Sequence, residues 1–160
     1  MSRARGNIFN YLFPGAVFSV LGGQLGIIDL PAGDIATALL IYYFVGLAIS
    51  RLGSVVLEPL AKAVRFVSYS DYGAYLRACV TDPKIELMVE VSNTYRTLVM
   101  TFAAILLTAL GNAAADRLHL EIEWRNVIMM VALMTLFAFS FRKQAAYVAK
   151  RVAHATSGAV

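Results

Sequence analysis

Residues 97–115 read TLVMTFAAILLTALGNAAA, a run without one ionisable side chain. Crossing the hydrocarbon core of a bilayer takes a helix of about 20 apolar residues, with a working range near 17–25. The run meets that length, and it is not alone. Residues 6–28 are equally free of charge, and residues 35–50 and 126–141 form two shorter stretches of the same kind. The shorter two are flanked by Arg51, Arg125 and Arg142, whose long stems can carry their charges out to the headgroups. A charge held in lipid costs at least about 2.5 kcal/mol on insertion scales, so four such runs point to lipid as the solvent.

Composition agrees. Of 160 residues 59% are hydrophobic and 15% charged, against about 45–50% and 25% in soluble domains. A soluble bundle would need polar helix faces that these runs lack. The expected fold is therefore all-α: a polytopic membrane protein with four transmembrane helices and a small helical cytoplasmic segment, assembled as a symmetric oligomer. Its parts are a first hairpin in 1–50 (spans near 8–28 and 35–50), a cytoplasmic segment in 51–96, a second hairpin in 97–141 (spans near 97–115 and 126–141) and a basic tail in 142–160. Arg3 and Arg5 precede the first run as in a signal peptide. The run is too long for that, and no A-x-A cleavage pattern follows, so it reads as a retained helix.

Basic residues set the orientation. With both termini and the middle segment in the cytoplasm, that side holds Arg3, Arg5, Arg51, Lys62, Arg65, Arg77, Lys84, Arg96, Arg142, Lys143, Lys150 and Arg151. The other side keeps only Arg117 and Arg125. The expected location is a bacterial inner membrane. Outside, the chain is expected to turn at residues 29–34 and to loop from Asn112 to Arg125, with Trp124 at the interface.

In the middle segment, Glu58-Pro59 is a place to end or kink the helix that continues from the second span. Ser70-Asp71 can cap a short helix running through Cys79. Asp82-Pro83 then starts a helix, with the Asp as cap. No breaker follows from Lys84 to Leu110, so one rod of about 40 Å should rise into the third span. Pro14-Gly15 predicts a kink in the first.

Small residues form stripes: Gly15, Ser19, Gly23 and Gly26 in the first span, and Gly46, Ser50 and Gly53 or Ser54 in the second. Such stripes let helix backbones approach closely, within one subunit or between subunits. On the third span Thr97, Thr101, Ala104, Thr108, Gly111 and Asn112 share a face. A line of hydroxyls and small groups suits a narrow aqueous path. The alternative is that each threonine bonds the carbonyl one turn back and the face merely packs. No Asp, Glu, Lys, Arg or His lies at mid-depth, which disfavours proton pumps and ion-coupled transporters but not a channel. Four spans enclose little room, so a conducting path would follow the axis of a ring of subunits. Arg51 and Glu58, seven residues apart, share a face and could join helices or subunits.

Basic and aromatic residues interleave through the middle segment. Arg65, Tyr69, Tyr72, Arg77, Lys84 and Arg96 are the candidates for binding an anionic ligand, because bases stack on aromatic rings and phosphates pair with arginine. Anionic lipid headgroups would be served by the same residues. Neither a catalytic constellation nor a metal cluster is visible, Cys79 is the single cysteine, and no cofactor is expected.

Two stretches, YFVGLAISRLGS (43–54) leading to Glu58-Pro59, and Asn93-Thr94-Tyr95-Arg96-Thr97, carry a resemblance. They resemble small four-span bacterial membrane effectors of antiphage defence, of the Hailong-type channel family. The resemblance covers the middle third of the chain. It implies a homotetrameric ion channel whose cytoplasmic crown binds a short single-stranded DNA signal made by a partner enzyme. Bound, that signal would keep the channel shut. Its release would depolarise the cell.

Overall fold

In a computed structural model, the backbone is described for residues 2–28, 33–119 and 121–157, and side chains for 10–28, 33–119, 121, 124–149 and 153. Six α-helices and one π-helical turn make up the fold: α1 (Ser2–Gln24), α2 (Ile35–Leu52), the π turn (Gly53–Leu57), α3 (Glu58–Ala63), α4 (Tyr72–Thr81), α5 (Lys84–Arg117) and α6 (Ile122–Ser157). No strand occurs among the described residues. Among the described residues three helical stretches are long and apolar enough to cross a membrane: Ile35–Ala63, Lys84–Arg117 and Trp124–Ala149. The protein is all-helical and of the membrane-inserting class.

Local chemistry explains most helix boundaries. The Asp34 carboxylate accepts from the Thr37 amide and hydroxyl at the start of α2, and the Asp71 carboxylate accepts from the Gly73 and Ala74 amides at the start of α4. Asp82 accepts from the Lys84 amide at 2.9 Å, just ahead of α5. The rod expected from Lys84 is present and extends to Arg117. At the far end of α1, Gly26 does not belong to a packing stripe. Its φ of +65° closes the helix, with the Ile27 amide reaching back to the Gly22 carbonyl at 2.9 Å. Arg65 closes α3 in the same way: its φ is 58°, and the Phe66 amide donates to the Ala61 carbonyl at 2.9 Å.

The outer loop expected from Asn112 to Arg125 is much shorter. Asn112 to Arg117 belong to α5 and Ile122 to Arg125 to α6. Of the other outer turn, expected at residues 29–34, residues 29–32 lie outside the described residues. Helix continues through 141–142 as well, joining the fourth apolar run to the basic tail in α6.

Helices α1 and α2 form an antiparallel hairpin in backbone contact. A Cβ on Gly15 would lie 1.7 Å from the Tyr42 carbonyl oxygen, and one on Gly46 would lie 1.7 Å from that of Tyr11. Those two glycines are the reason the stripes exist. Helix α5 lies across this hairpin, and Ile49, Met100 and Ala104 form the core with Phe18, Val45 and Leu52 around it. Helix α6 runs beside α2 and the π turn, with Phe44 and Phe137 in ring contact. Leu136 is buried, while other apolar side chains of α6, among them Met130, Met134 and Phe141, are exposed.

Candidate functional site: an ion cluster and a polar cavity

Pro59 does not end the helix. The backbone absorbs it in the π turn just before. There the Glu58 amide donates to the Gly53 carbonyl, five residues back rather than four. The next bond in that register would run from residue 59 to the Ser54 carbonyl, and Pro59 has no N–H to give. A partly buried carbonyl left in this way needs a donor from elsewhere.

Lys143 of α6 supplies it. Its ammonium donates to the Ser54 carbonyl, to Ser54 Oγ at 2.9 Å and to Glu58 Oε2 at 3.1 Å, which occupies all three of its N–H donors. Glu58 is 7% exposed. Its Oε1 accepts from Lys62 at 2.8 Å and its Oε2 from Arg96 at 3.1 Å as well as from Lys143. One carboxylate thus joins α3, α5 and α6. Arg51 is not its partner. The π turn inserts a residue between the two, so Glu58 lags by roughly one residue's rotation, about 100°, and leaves Arg51's face.

Beside this cluster a cavity of about 650 Å³ opens among α1, α2, α4 and α5. Asn10 and Tyr11 of α1 line it, with Ser50 and Arg51 of α2, Ser54 of the π turn and Tyr75 of α4. Helix α5 contributes Glu86, Glu90, Asn93, Arg96 and Thr97 to the same wall. Glu90 accepts from Asn10 Nδ2 at 3.0 Å. Among the described residues Arg51 has no carboxylate partner, and Arg96 Nε is buried without an acceptor.

The α5 hydroxyl line starts at the cavity and runs into the core. Thr97 and Ala104 are buried, and Thr101 is 0% exposed. Each threonine donates to the carbonyl one turn back: Thr97 to Asn93, Thr101 to Thr97 and Thr108 to Ala104. In this conformation the line faces α1 and α2 of its own chain. Gly111 is open, and Asn112 donates to the Ile27 carbonyl at 2.8 Å.

The six candidate ligand residues do not converge. Only Arg96 of the six lines the cavity. Arg65 is the exposed left-handed residue after α3, while Arg77 and Lys84 are exposed on α4 and at the start of α5. The Tyr69 ring lies 4.2 Å below the Lys62 ammonium, and Tyr72 contacts Tyr75 and Tyr147 of α6 at centroid distances of 6.3 and 6.0 Å. Sequence reasoning missed Lys143 and Ser54. Their only signals were a lysine just beyond an apolar run and a proline five residues after a serine. No group suited to holding a metal occurs among the described residues.

This geometry defines a helical membrane protein with a charged junction and a polar vestibule at one end of its apolar helices. No family model, curated protein or solved structure matches the chain.

Proposed function

We propose that the chain is the subunit of an oligomeric membrane channel, drawn here in a closed conformation. One observation carries the reading: the 650 Å³ polar cavity ends on Thr97, the first hydroxyl of a line that is sealed at Thr101. Opening would part α5 from α1 and α2 and carry water past Thr97, Thr101, Ala104 and Thr108 to Gly111 and Asn112. In this reading α1 is a fourth span, both termini are cytoplasmic and the membrane is the bacterial inner membrane, following the distribution of basic residues.

Gating would come from an anionic ligand, a nucleotide or short single-stranded DNA, and the charged junction gives it a route. Lys62 and Lys143, which hold Glu58, also lie over the Tyr69 and Tyr147 rings. A polyanion on that surface would compete with Glu58 for both ammonium groups and so reach the π turn. A role as a cell-death effector in antiphage defence, and a tetrameric ring, are supported by the Hailong-type resemblance alone. The test is ion flux from proteoliposomes, with and without short oligodeoxynucleotides or nucleotides. Thr108→Trp should abolish flux without altering the mass of the oligomer. Absence of flux under all ligand conditions defeats the channel reading.

A second reading, a non-conducting scaffold that docks a cytoplasmic partner, is favoured by Phe66 and Val80, 83% and 86% exposed in the segment between the apolar helices. Capture of one soluble partner without ion leak would select it.

A further inference from the structure

Helix α3 has two unlike sides. Glu58 and Lys62, one turn apart, lie on the side of the ion cluster, where Glu58 meets Arg96 of α5 and Lys143 of α6. Val56, Leu60 and Val64, spaced by four, run up the other side, and all three are exposed. Phe66 follows directly and is 83% exposed. An apolar row thus continues past the ion cluster and ends on an aromatic ring.

The turn at Arg65 fixes where that ring sits. The Arg65 amide donates to the Lys62 carbonyl at 3.1 Å and the Phe66 amide to the Ala61 carbonyl at 2.9 Å, which folds the chain back beside the last turn of α3. An apolar residue at this point of such a closure frequently packs on the turn before it. Phe66 stands clear instead.

Length gives the depth. The stretch Ile35–Ala63 has 29 residues, about 43 Å along the axis, or about 41 Å across the bilayer at the usual tilt near 20°. A bilayer with both headgroup layers measures about 40–45 Å. With Ile35, next to the charged Asp34, in one headgroup layer, Ala63 reaches the other. Phe66, tied back to Ala61, shares that level. Two cations flank it there. Arg65 is exposed with no acidic partner among the described residues, and the Lys62 side chain is 45% exposed beyond its bond to Glu58.

We propose that the turn 64–66 docks on the surface of the bilayer the chain itself spans. Phe66 enters between acyl chains just below the headgroups, and Arg65 and Lys62 meet the phosphates of anionic lipids. The contact goes beyond the channel reading: it rests on insertion of Ile35–Ala63 and not on conduction. It sets the depth at which the ion cluster is held.

Trp124 is the single tryptophan, so Phe66→Trp in a Trp124→Phe background gives the full chain one reporter. The protein is reconstituted into phosphatidylcholine–phosphatidylglycerol vesicles whose acyl chains are brominated either near the headgroup or near the bilayer centre. Emission from position 66 should be quenched more by the shallow bromines than by the deep ones. Met134→Trp in the same background, at an exposed position of α6, should show the reverse order and reports on insertion alone. Adding Arg65→Gln should lower the ratio of lipid-contacting to free reporter about fivefold in these vesicles, and leave it unchanged in pure phosphatidylcholine. If the Met134→Trp reporter is not quenched, insertion fails and the proposal falls with the channel reading. With that reporter quenched, three results overturn the proposal alone. One is water-like emission at position 66 untouched by bromine. Another is emission shielded from water yet untouched by bromine, the mark of a protein neighbour. The third is lipid contact that neither Arg65→Gln nor removal of phosphatidylglycerol reduces.

Discussion

Lys143 donates its ammonium to the backbone carbonyl of Ser54, 89 residues earlier in the chain. The bond exists because Pro59 removes the amide that a π register would otherwise offer that carbonyl. A helix-breaking residue and a lysine on another helix are thereby made interdependent.

Lys143→Met removes that donor and one of the three cations on Glu58, leaving a partly buried carbonyl unpaired. The expected loss is about 1–3 kcal/mol in thermal unfolding in detergent. In a Pro59→Ala background an amide is restored at residue 59, and the same lysine substitution should cost less. The double-mutant cycle should show coupling of about 1 kcal/mol. Equal costs in both backgrounds would mean that the Ser54 carbonyl does not need Lys143.

Gly46→Ala places a methyl where the Tyr11 carbonyl oxygen would be 1.7 Å away. Backbone cannot yield as a side chain can, so α1 and α2 must separate, at a cost of about 3 kcal/mol. Gly111→Ala, with nothing within 4 Å, should lower the melting temperature far less.

Arg65→Gly relieves a left-handed residue at the end of α3. It should stabilise the chain by about 1 kcal/mol, seen as a higher melting temperature. If Arg65 also contacts an anionic ligand, stability and ligand affinity will move in opposite directions.

Asp71 gives a pH dependence. The Ala74 and Gly73 amides hold its carboxyl below the usual carboxylate range. A depressed folded pKa stabilises α4 above the unfolded value, and that contribution disappears as pH falls through the folded one. Amide exchange at Gly73 and Ala74 should therefore gain protection as pH rises through the carboxylate range, after correction for intrinsic rates. Asp71→Asn should flatten the profile while keeping a cap.

Asp71, Asp82 and the unbroken run after Lys84 were legible because each acts within a few residues of itself. Gly15 and Gly46 were legible because lipid leaves close packing as the means of joining helices. Gly26 misled, since a small residue at the right spacing can equally end a helix. The ion cluster could not be read. Its pairs lie 38 and 85 residues apart, and the π turn rotates Glu58 off the face that α-helical spacing assigns it. For the hydroxyl line, spacing identified the shared face but not what covers it. That depends on how α5 meets α1 and α2.

Helix α5 runs 34 residues without interruption, about 51 Å at 1.5 Å per residue. It is a lever without a joint. Tilting its Lys84 end by roughly 5° sweeps the Arg117 end through about 4 Å, enough to draw Asn112 away from Ile27. Movement imposed at one end of the rod is thus delivered at the other by geometry alone.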